Sequence, residues 1–212
     1  MIPALIIVGN ARQFAQEALR TKRALRSVNV HHIKIVRACY AGVTATEKLI
    51  AGFLNTPASV HLLIYTGHGG DHGWALDEWE LLRYSRLVKL LQAASAPLIL
   101  INDSCRAGRI VERIQASDPS LERRLLIIAA SDAEGTTSES VSTLAIDAWR
   151  EKTPFVPPGA IVQVVKFDSG PPVPDPVIDF RGFSHRVVRT FRAPPSTLRW
   201  GAALDHHVYP AG

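Results

Sequence analysis

Short apolar runs alternate with amphipathic stretches along most of this 212-residue chain. The continuous apolar runs are typical of strands buried on both faces of a parallel sheet, and the stretches between them repeat with helical periodicity. The predicted strands are residues 4–8, 32–38, 60–65, 97–101, 125–130 and 160–167. The predicted helices are residues 12–26, 44–54, 81–94, 108–115 and 140–150, with a hairpin or loop at 71–79. This alternation predicts an α/β fold, a three-layer α/β/α sandwich around a mostly parallel six-stranded sheet.

The composition changes after residue 167, where residues 168–176 are rich in proline and cannot be helical. We therefore expect one domain over residues 1–167. Residues 168–212 are expected to form a Pro-rich connection and a C-terminal extension that packs on the same domain. The sequence leaves the oligomeric state open.

Charge and cysteine content narrow the class of protein. The formal net charge is +5, but the Lys and Arg residues are dispersed without a run of five like charges, so no nucleic-acid or membrane partner is expected. Two cysteines, Cys39 and Cys105, are too few for a secreted disulfide scaffold. The first apolar stretch ends at Gly9, too early for a signal peptide or a membrane span. We expect a cytoplasmic protein with reduced thiols.

Two short segments with chemically active side chains directly follow neighbouring predicted strands. Residues 65–70 read Tyr-Thr-Gly-His-Gly-Gly and contain His68, and residues 102–108 read Asn-Asp-Ser-Cys-Arg-Ala-Gly and contain Cys105. Parallel sheets build their sites at the carboxyl ends of the strands. A thiol has an ordinary pKa of about 8.5 and needs a base at neutral pH. The two segments therefore predict a His–Cys pair for thiol-based acyl transfer to or from a peptide or protein substrate.

The residues around this pair suggest further roles. The backbone N–H groups of Gly69 and Cys105 can form an oxyanion hole if they point at one carbonyl oxygen. Asp103 shares its strand face with Cys105 by two-residue alternation, so its carboxylate can pair with a basic substrate side chain. The alternative for Asp103 is a helix cap or a hydrogen-bond anchor for the turn.

Together the two segments resemble the catalytic segments of caspase-like cysteine peptidases, most closely the metacaspase and bacterial orthocaspase branch. That branch has Tyr-Ser-Gly-His-Gly and Asp-Ser-Cys-His-Ser-Gly where this chain has Tyr-Thr-Gly-His-Gly at 65–69 and Asp-Ser-Cys-Arg-Ala-Gly at 103–108. The resemblance extends to the order of strands and helices over residues 1–167. Residues 130–139 also resemble the loop after the fifth strand in that branch.

The resemblance implies a cysteine endopeptidase with His68 and Cys105 as its catalytic dyad and Gly69 in its oxyanion hole. It implies a substrate-binding role for Thr66, Asp103 and Asp132. An acid at the position of Asp103 implies cleavage after Arg or Lys, whereas true caspases select Asp with an arginine-rich pocket.

Two family features are incomplete in this chain. A second pocket acid is usual in the loop after the first strand, but residues 9–14 contain no acid, and Arg12 there would repel a basic substrate residue. The acidic cluster that binds calcium in many metacaspases is matched only in part, by Asp71, Asp77 and Glu78. No cofactor and no metal site are expected, and calcium activation is doubtful.

Other functions remain open at this point. The same fold can serve as a regulatory or interaction module whose dyad is not productive, and the same dyad can serve a cysteine acyltransferase. A metal site at His68, Asp71 and His72 is disfavoured because two glycines interrupt the helix that usually presents such ligands. A nucleotide site is disfavoured because Gly9 does not begin a Gly-x-Gly-x-x-Gly pattern. Cys39 is expected to pack, and the other histidines, His61 among them, to lie mostly in loops or on the surface.

Overall fold

The computed structural model describes residues 2–117, 125–130, 142–143, 146 and 150, together with two-residue strands between residues 154 and 199. The main elements are β1 (Ala4–Val8), α1 (Arg12–Ser27), β2 (Ile33–Arg37), α2 (Ala38–Leu54), β3 (His61–Thr66), β4 (Gly73–Ala75), β5 (Leu81–Arg83), α3 (Tyr84–Gln92), β6 (Leu98–Asp103), α4 (Arg109–Ser117) and β7 (Leu125–Ala129).

A parallel sheet of five strands, in the order β2-β1-β3-β6-β7, forms the centre of the molecule. Every residue of β1, β3 and β6 is buried, as their continuous apolar sequences predict. From β1 the chain passes through α1 to β2, at one edge of the sheet. It then passes through α2 to β3, through α3 to β6 and through α4 to β7, toward the other edge. Right-handed crossovers place α1 on one face of the sheet and the other three helices on the opposite face. The mostly parallel sheet with flanking helices is therefore confirmed.

The number of strands differs from the prediction. In the described part of the chain the sheet has five strands rather than six. Within the predicted sixth strand, Gln163–Val164 lies beside β7 but pairs antiparallel with Phe191–Arg192. The predicted domain boundary after residue 167 falls outside the described residues.

Helix α2 begins six residues earlier than predicted and bends at Gly42, which has a φ of +74°. The helix resumes at Val43, whose N–H donates to the Glu80 carboxylate at 3.1 Å. Glu80 belongs to the β4–β5 hairpin, far from α2 in the sequence. The sequence around Val43 therefore does not predict this contact.

The inner face of α1 includes Ala18 and Leu25, which are fully buried, whereas Leu19 is 52% exposed. One expectation needs correction. His61, grouped with the loop and surface histidines although it falls in the predicted strand 60–65, is the first residue of β3 and is fully buried. Its Nε2–H donates to the Thr56 carbonyl at 3.1 Å, and its ring packs edge-on against a phenylalanine of α2. None of the described helices has both the length and the apolar character needed to cross a membrane.

His61 makes folding depend on pH. Burial lowers the pKa of His61 below its ordinary value, although the hydrogen bond to Thr56 opposes this shift. Its Nδ1 is buried with no hydrogen-bond partner among the described residues, so a second ring proton would be unsatisfied. The unfolded chain therefore takes up a proton near pH 6.5 that the folded chain resists.

We expect the free energy of unfolding to fall as the pH drops below about 6.5, by up to about 1.4 kcal/mol per pH unit from this group. Urea denaturation at about pH 7.5 and about pH 5, in wild type and in His61→Gln, measures the effect. The variant should lose less stability between the two pH values, and an equal loss in both proteins would contradict the prediction.

Candidate active site

The site is built where β3 and β6 end side by side. The two strands pair in parallel, and the last residues, Thr66 and Asp103, are register partners. His68 and Cys105 each follow two residues later, at the carboxyl edge of the sheet. The pairing continues past the strands because the Gly67 N–H donates to the Asp103 carbonyl at 3.3 Å.

Gly69 brings the two loops into direct contact. A Cβ atom at this position would lie 2.8 Å from Cβ of Ser104 and would collide with the Cys105 carbonyl oxygen. Residues on both sides of His68 therefore contact residues 103–105. The His68 side chain is exposed and Cys105 is partly exposed, so both face solvent at this edge. The two residues predicted as the dyad lie on adjacent loops.

The backbone and ring of His68 are held by aromatic residues. The Tyr65 hydroxyl lies 2.7 Å from the His68 carbonyl oxygen and 2.8 Å from that of Ala75. Burial, with a contribution from Tyr84, raises the pKa of Tyr65 well above its ordinary value, so the hydroxyl remains a donor. The Phe14 ring of α1 meets the imidazole edge-on, with 4.9 Å between ring centres.

The β4–β5 hairpin supports the histidine loop. Gly69 and Trp74 form an antiparallel bridge, and its hydrogen bonds run from Gly70 N–H to the Gly73 carbonyl and from Ala75 N–H to the His68 carbonyl. This bridge does not use the N–H of Gly69, because the residues of a non-hydrogen-bonded pair direct their own N–H groups away from each other. The geometry is compatible with the predicted role of this N–H in an oxyanion hole.

Asn102 connects the hairpin to the cysteine loop. Its Oδ1 accepts hydrogen bonds from Trp74 Nε1 at 2.9 Å and from the Ser104 hydroxyl at 3.0 Å. Its Nδ2 donates to the Ala107 carbonyl at 3.1 Å. Asn102, Ser104 and Trp74 are all fully or almost fully buried. One amide side chain thus fixes the turn on both sides of Cys105, a role that the sequence did not reveal.

Two acidic residues, Glu17 and Asp103, lie close to Thr66. The Thr66 hydroxyl donates to the Glu17 carboxylate of α1 at 2.9 Å, and Asp103 is the register partner of Thr66. Burial raises the pKa of Glu17, and the nearby Asp103 raises it further, although the Thr66 hydrogen bond opposes this. Asp103 is itself buried, and one of its carboxylate oxygens accepts the Ser142 N–H at 3.0 Å. One oxygen of Asp103 therefore holds the backbone at Ser142, a role of the kind considered as the alternative for this residue.

Glu17 is an acid near Thr66 that lies outside residues 9–14. It lies one helical turn beyond that segment, three residues after Phe14 and four before the buried Thr21. Residues at these spacings share one face of a helix, so Glu17 lies on the inner face of α1 with Phe14 and Thr21. This spacing is the sequence signal that could have identified Glu17. Asp132, the other predicted substrate-binding acid, lies outside the described residues.

Two of the three acids considered for calcium have partners within the protein. Asp71 pairs with Arg106 and Arg109, and Asp77 accepts the N–H groups of Trp79 and Glu80. Among the described residues, no group of three or more His, Cys, Asp or Glu side chains is arranged to hold a metal ion.

Comparison with known proteins finds matches among solved structures alone. No protein-family model and no curated protein matches this sequence. Among solved structures, caspase-1 from Spodoptera frugiperda matches with 12% sequence identity and a TM-score of 0.49. The match covers 71% of this chain and 68% of that chain. An identity of 12% does not carry an activity from one protein to the other.

Replacing Asn102 tests whether this residue supports the site. In Asn102→Ala, the buried Trp74 N–H and Ser104 hydroxyl lose their acceptor. We therefore expect the free energy of unfolding to fall by about 2–4 kcal/mol. Urea denaturation measures the change. The control is Asn55→Ala, since Asn55 is exposed at the end of α2 and should change stability by less than about 0.5 kcal/mol. Equal stability of the two variants would contradict the role of Asn102.

Proposed function

We propose that this protein is a caspase-like cysteine endopeptidase of the metacaspase and orthocaspase type, cleaving peptides after Arg or Lys in a reducing compartment such as the cytoplasm. The observation that carries the proposal is the placement of His68 and Cys105 at the ends of two in-register strands, near two acidic residues. A thiol, a base and a pocket for a basic side chain are the three parts that such a reaction needs.

In the proposed reaction, His68 takes the proton of the Cys105 thiol, and the resulting thiolate attacks the carbonyl carbon of the scissile bond. The N–H groups of Gly69 and Cys105 stabilise the negative charge that forms on the carbonyl oxygen. His68 gives a proton to the leaving amine as the peptide bond breaks. Water then hydrolyses the thioester and restores the thiol.

The proposed specificity rests on Glu17 and Asp103 together. Both acids adjoin Thr66, and the raised pKa of Glu17 reflects first its burial and then the repulsion from the Asp103 carboxylate. A guanidinium or ammonium group between them would relieve that repulsion and supply charge-assisted hydrogen bonds. Arg12, which was expected to oppose such a substrate, is exposed at the start of α1.

Peptide hydrolysis tests the activity. We expect the wild type to cleave fluorogenic peptides ending in Arg or Lys, under reducing conditions, far faster than those ending in Asp. Cys105→Ala should reduce the rate by at least about 10³-fold, because it removes the nucleophile. Cys39→Ala, which alters the other thiol, should retain activity. The assays are run with and without calcium.

The outcome separates the alternatives. If no peptide is cleaved and a thiol-reactive peptide probe does not label Cys105, the protein is a regulatory or interaction module with a non-productive dyad. If the substrate acyl group is transferred to an added amine rather than to water, as product masses would reveal, it is an acyltransferase. Either result would overturn the peptidase proposal.

Replacing Glu17 tests the pocket separately from the dyad. We expect Glu17→Gln to lower kcat/KM for Arg and Lys peptides about tenfold, the effect of losing one charge-assisted contact. A peptide with a neutral residue at that position should be affected much less. Glu47→Gln is the matched control because Glu47 is a partly buried helix residue whose partner is Arg86. An equal loss for basic and neutral peptides would argue against the pocket.

The raised pKa of Glu17 adds a pH dependence with a defined sign. The side chain binds a cation only when it is ionised, so the preference for Arg over a neutral residue should fall as the pH drops through that raised pKa. Glu17→Gln should lack this part of the profile. The measurement is the ratio of kcat/KM for the Arg peptide to that for the neutral peptide, as a function of pH. Any effect of pH that is common to both peptides cancels in this ratio.

A further inference from the structure

Asp71 forms a second link between the two loops of the site. It lies three residues after His68, and its carboxylate pairs with Arg106, the residue directly after Cys105. Its other oxygen accepts a hydrogen bond from Arg109 Nε at 3.3 Å. These ion pairs hold the pKa of Asp71 below its ordinary value, with the hydrogen bond from Arg106 as the main cause. Asp71, Arg106 and Arg109 are called the Asp71 cluster below.

The backbone of Arg106 is in an unfavourable conformation. Its φ is +53°, in the left-handed region where a side chain with a Cβ atom is strained. Such a residue persists only where its surroundings hold it, and here it sits between Cys105 and Ala107. The Ala107 carbonyl is fixed by Asn102, and the Arg106 side chain is held by Asp71.

We propose that Asp71 is a positioning residue, which holds Arg106 in its left-handed conformation and thereby keeps Cys105 aligned with His68. This proposal rests on the peptidase function proposed above. It adds that the alignment of the dyad depends on an exposed ion pair and is therefore weakened by salt. The Asp71 and Arg106 side chains are 42% and 40% exposed, so mobile ions can reach the pair.

The residue at position 106 gives the sharpest test, because Ala and Gly separate the two contributions of the arginine. Arg106→Ala removes the ion pair and keeps the backbone strain. Arg106→Gly removes both, since glycine adopts a positive φ without strain. We expect Asp71→Asn and Arg106→Ala each to lower kcat for an Arg peptide about threefold with little change in KM, the size typical of an exposed ion pair.

Arg106→Gly should stay close to the wild-type kcat, and adding Asp71→Asn to it should have no further effect. Glu112→Gln is the control. It removes the other ion pair of Arg109, which lies within α4 and does not join the loops, so it should leave kcat unchanged. If Arg106→Gly is as slow as Arg106→Ala, or if Asp71→Asn leaves kcat unchanged, the positioning role is overturned.

Hydrogen exchange followed by mass spectrometry tests the cluster even if no peptide is cleaved. Peptides that cover residues 104–108 should exchange faster in Asp71→Asn than in the wild type, while β3 is unchanged. Raising the salt to about 1 M, where the Debye length is about 3 Å, should speed exchange of this segment in the wild type but not in the variant. Identical exchange in both proteins at both salt concentrations would overturn the proposal. Absence of peptide cleavage alone would overturn only the peptidase function.

Discussion

The parallel, in-register pairing of β3 with β6 is the constraint on which the site depends. Because Thr66 is opposite Asp103, residues that follow the two strands by the same number of positions lie side by side at the carboxyl edge of the sheet. A slip of β6 by one residue would turn Asp103 to the other face of the sheet and separate it from Thr66 and Glu17. The register is in turn fixed by two fully buried apolar strands in the middle of the sheet, where any slip would disrupt the core.

The loops that follow these strands are supported from the side by an aromatic and amide framework. Tyr65 and Trp74 stack with 4.4 Å between ring centres, and the Trp74 indole donates to Asn102. Tyr65 contacts the histidine loop and Asn102 contacts the cysteine loop, so the hairpin couples the two. Buried polar groups of this kind are costly unless each finds a partner, and once paired they restrict the loops to one arrangement.

The sequence predicts what depends on local pattern and misses what depends on distant partners. Continuous apolar runs located four strands of the sheet, and a partly alternating run located β2. The position of His68 and Cys105 just beyond two strand ends was also predicted from the sequence. Glu17, Glu80 and Asp71 act across the fold, on Thr66, Val43 and Arg106, and no short stretch of sequence contains both members of such a pair. The predicted sixth strand had the right apolar composition. An apolar run, however, does not specify whether its partner is the main sheet or another segment.

The distribution of buried polar side chains distinguishes the carboxyl edge of the sheet from the rest of the core. Among the described residues, Thr66, Asn102, Asp103 and Ser104 are buried at the ends of two adjacent strands, whereas the strand interiors are almost wholly apolar. A fold that needed only stability would gain by placing apolar residues there, because desolvating polar groups offsets much of what their hydrogen bonds contribute. Their concentration beside a histidine and a cysteine is therefore better explained by a site that positions reacting groups than by packing.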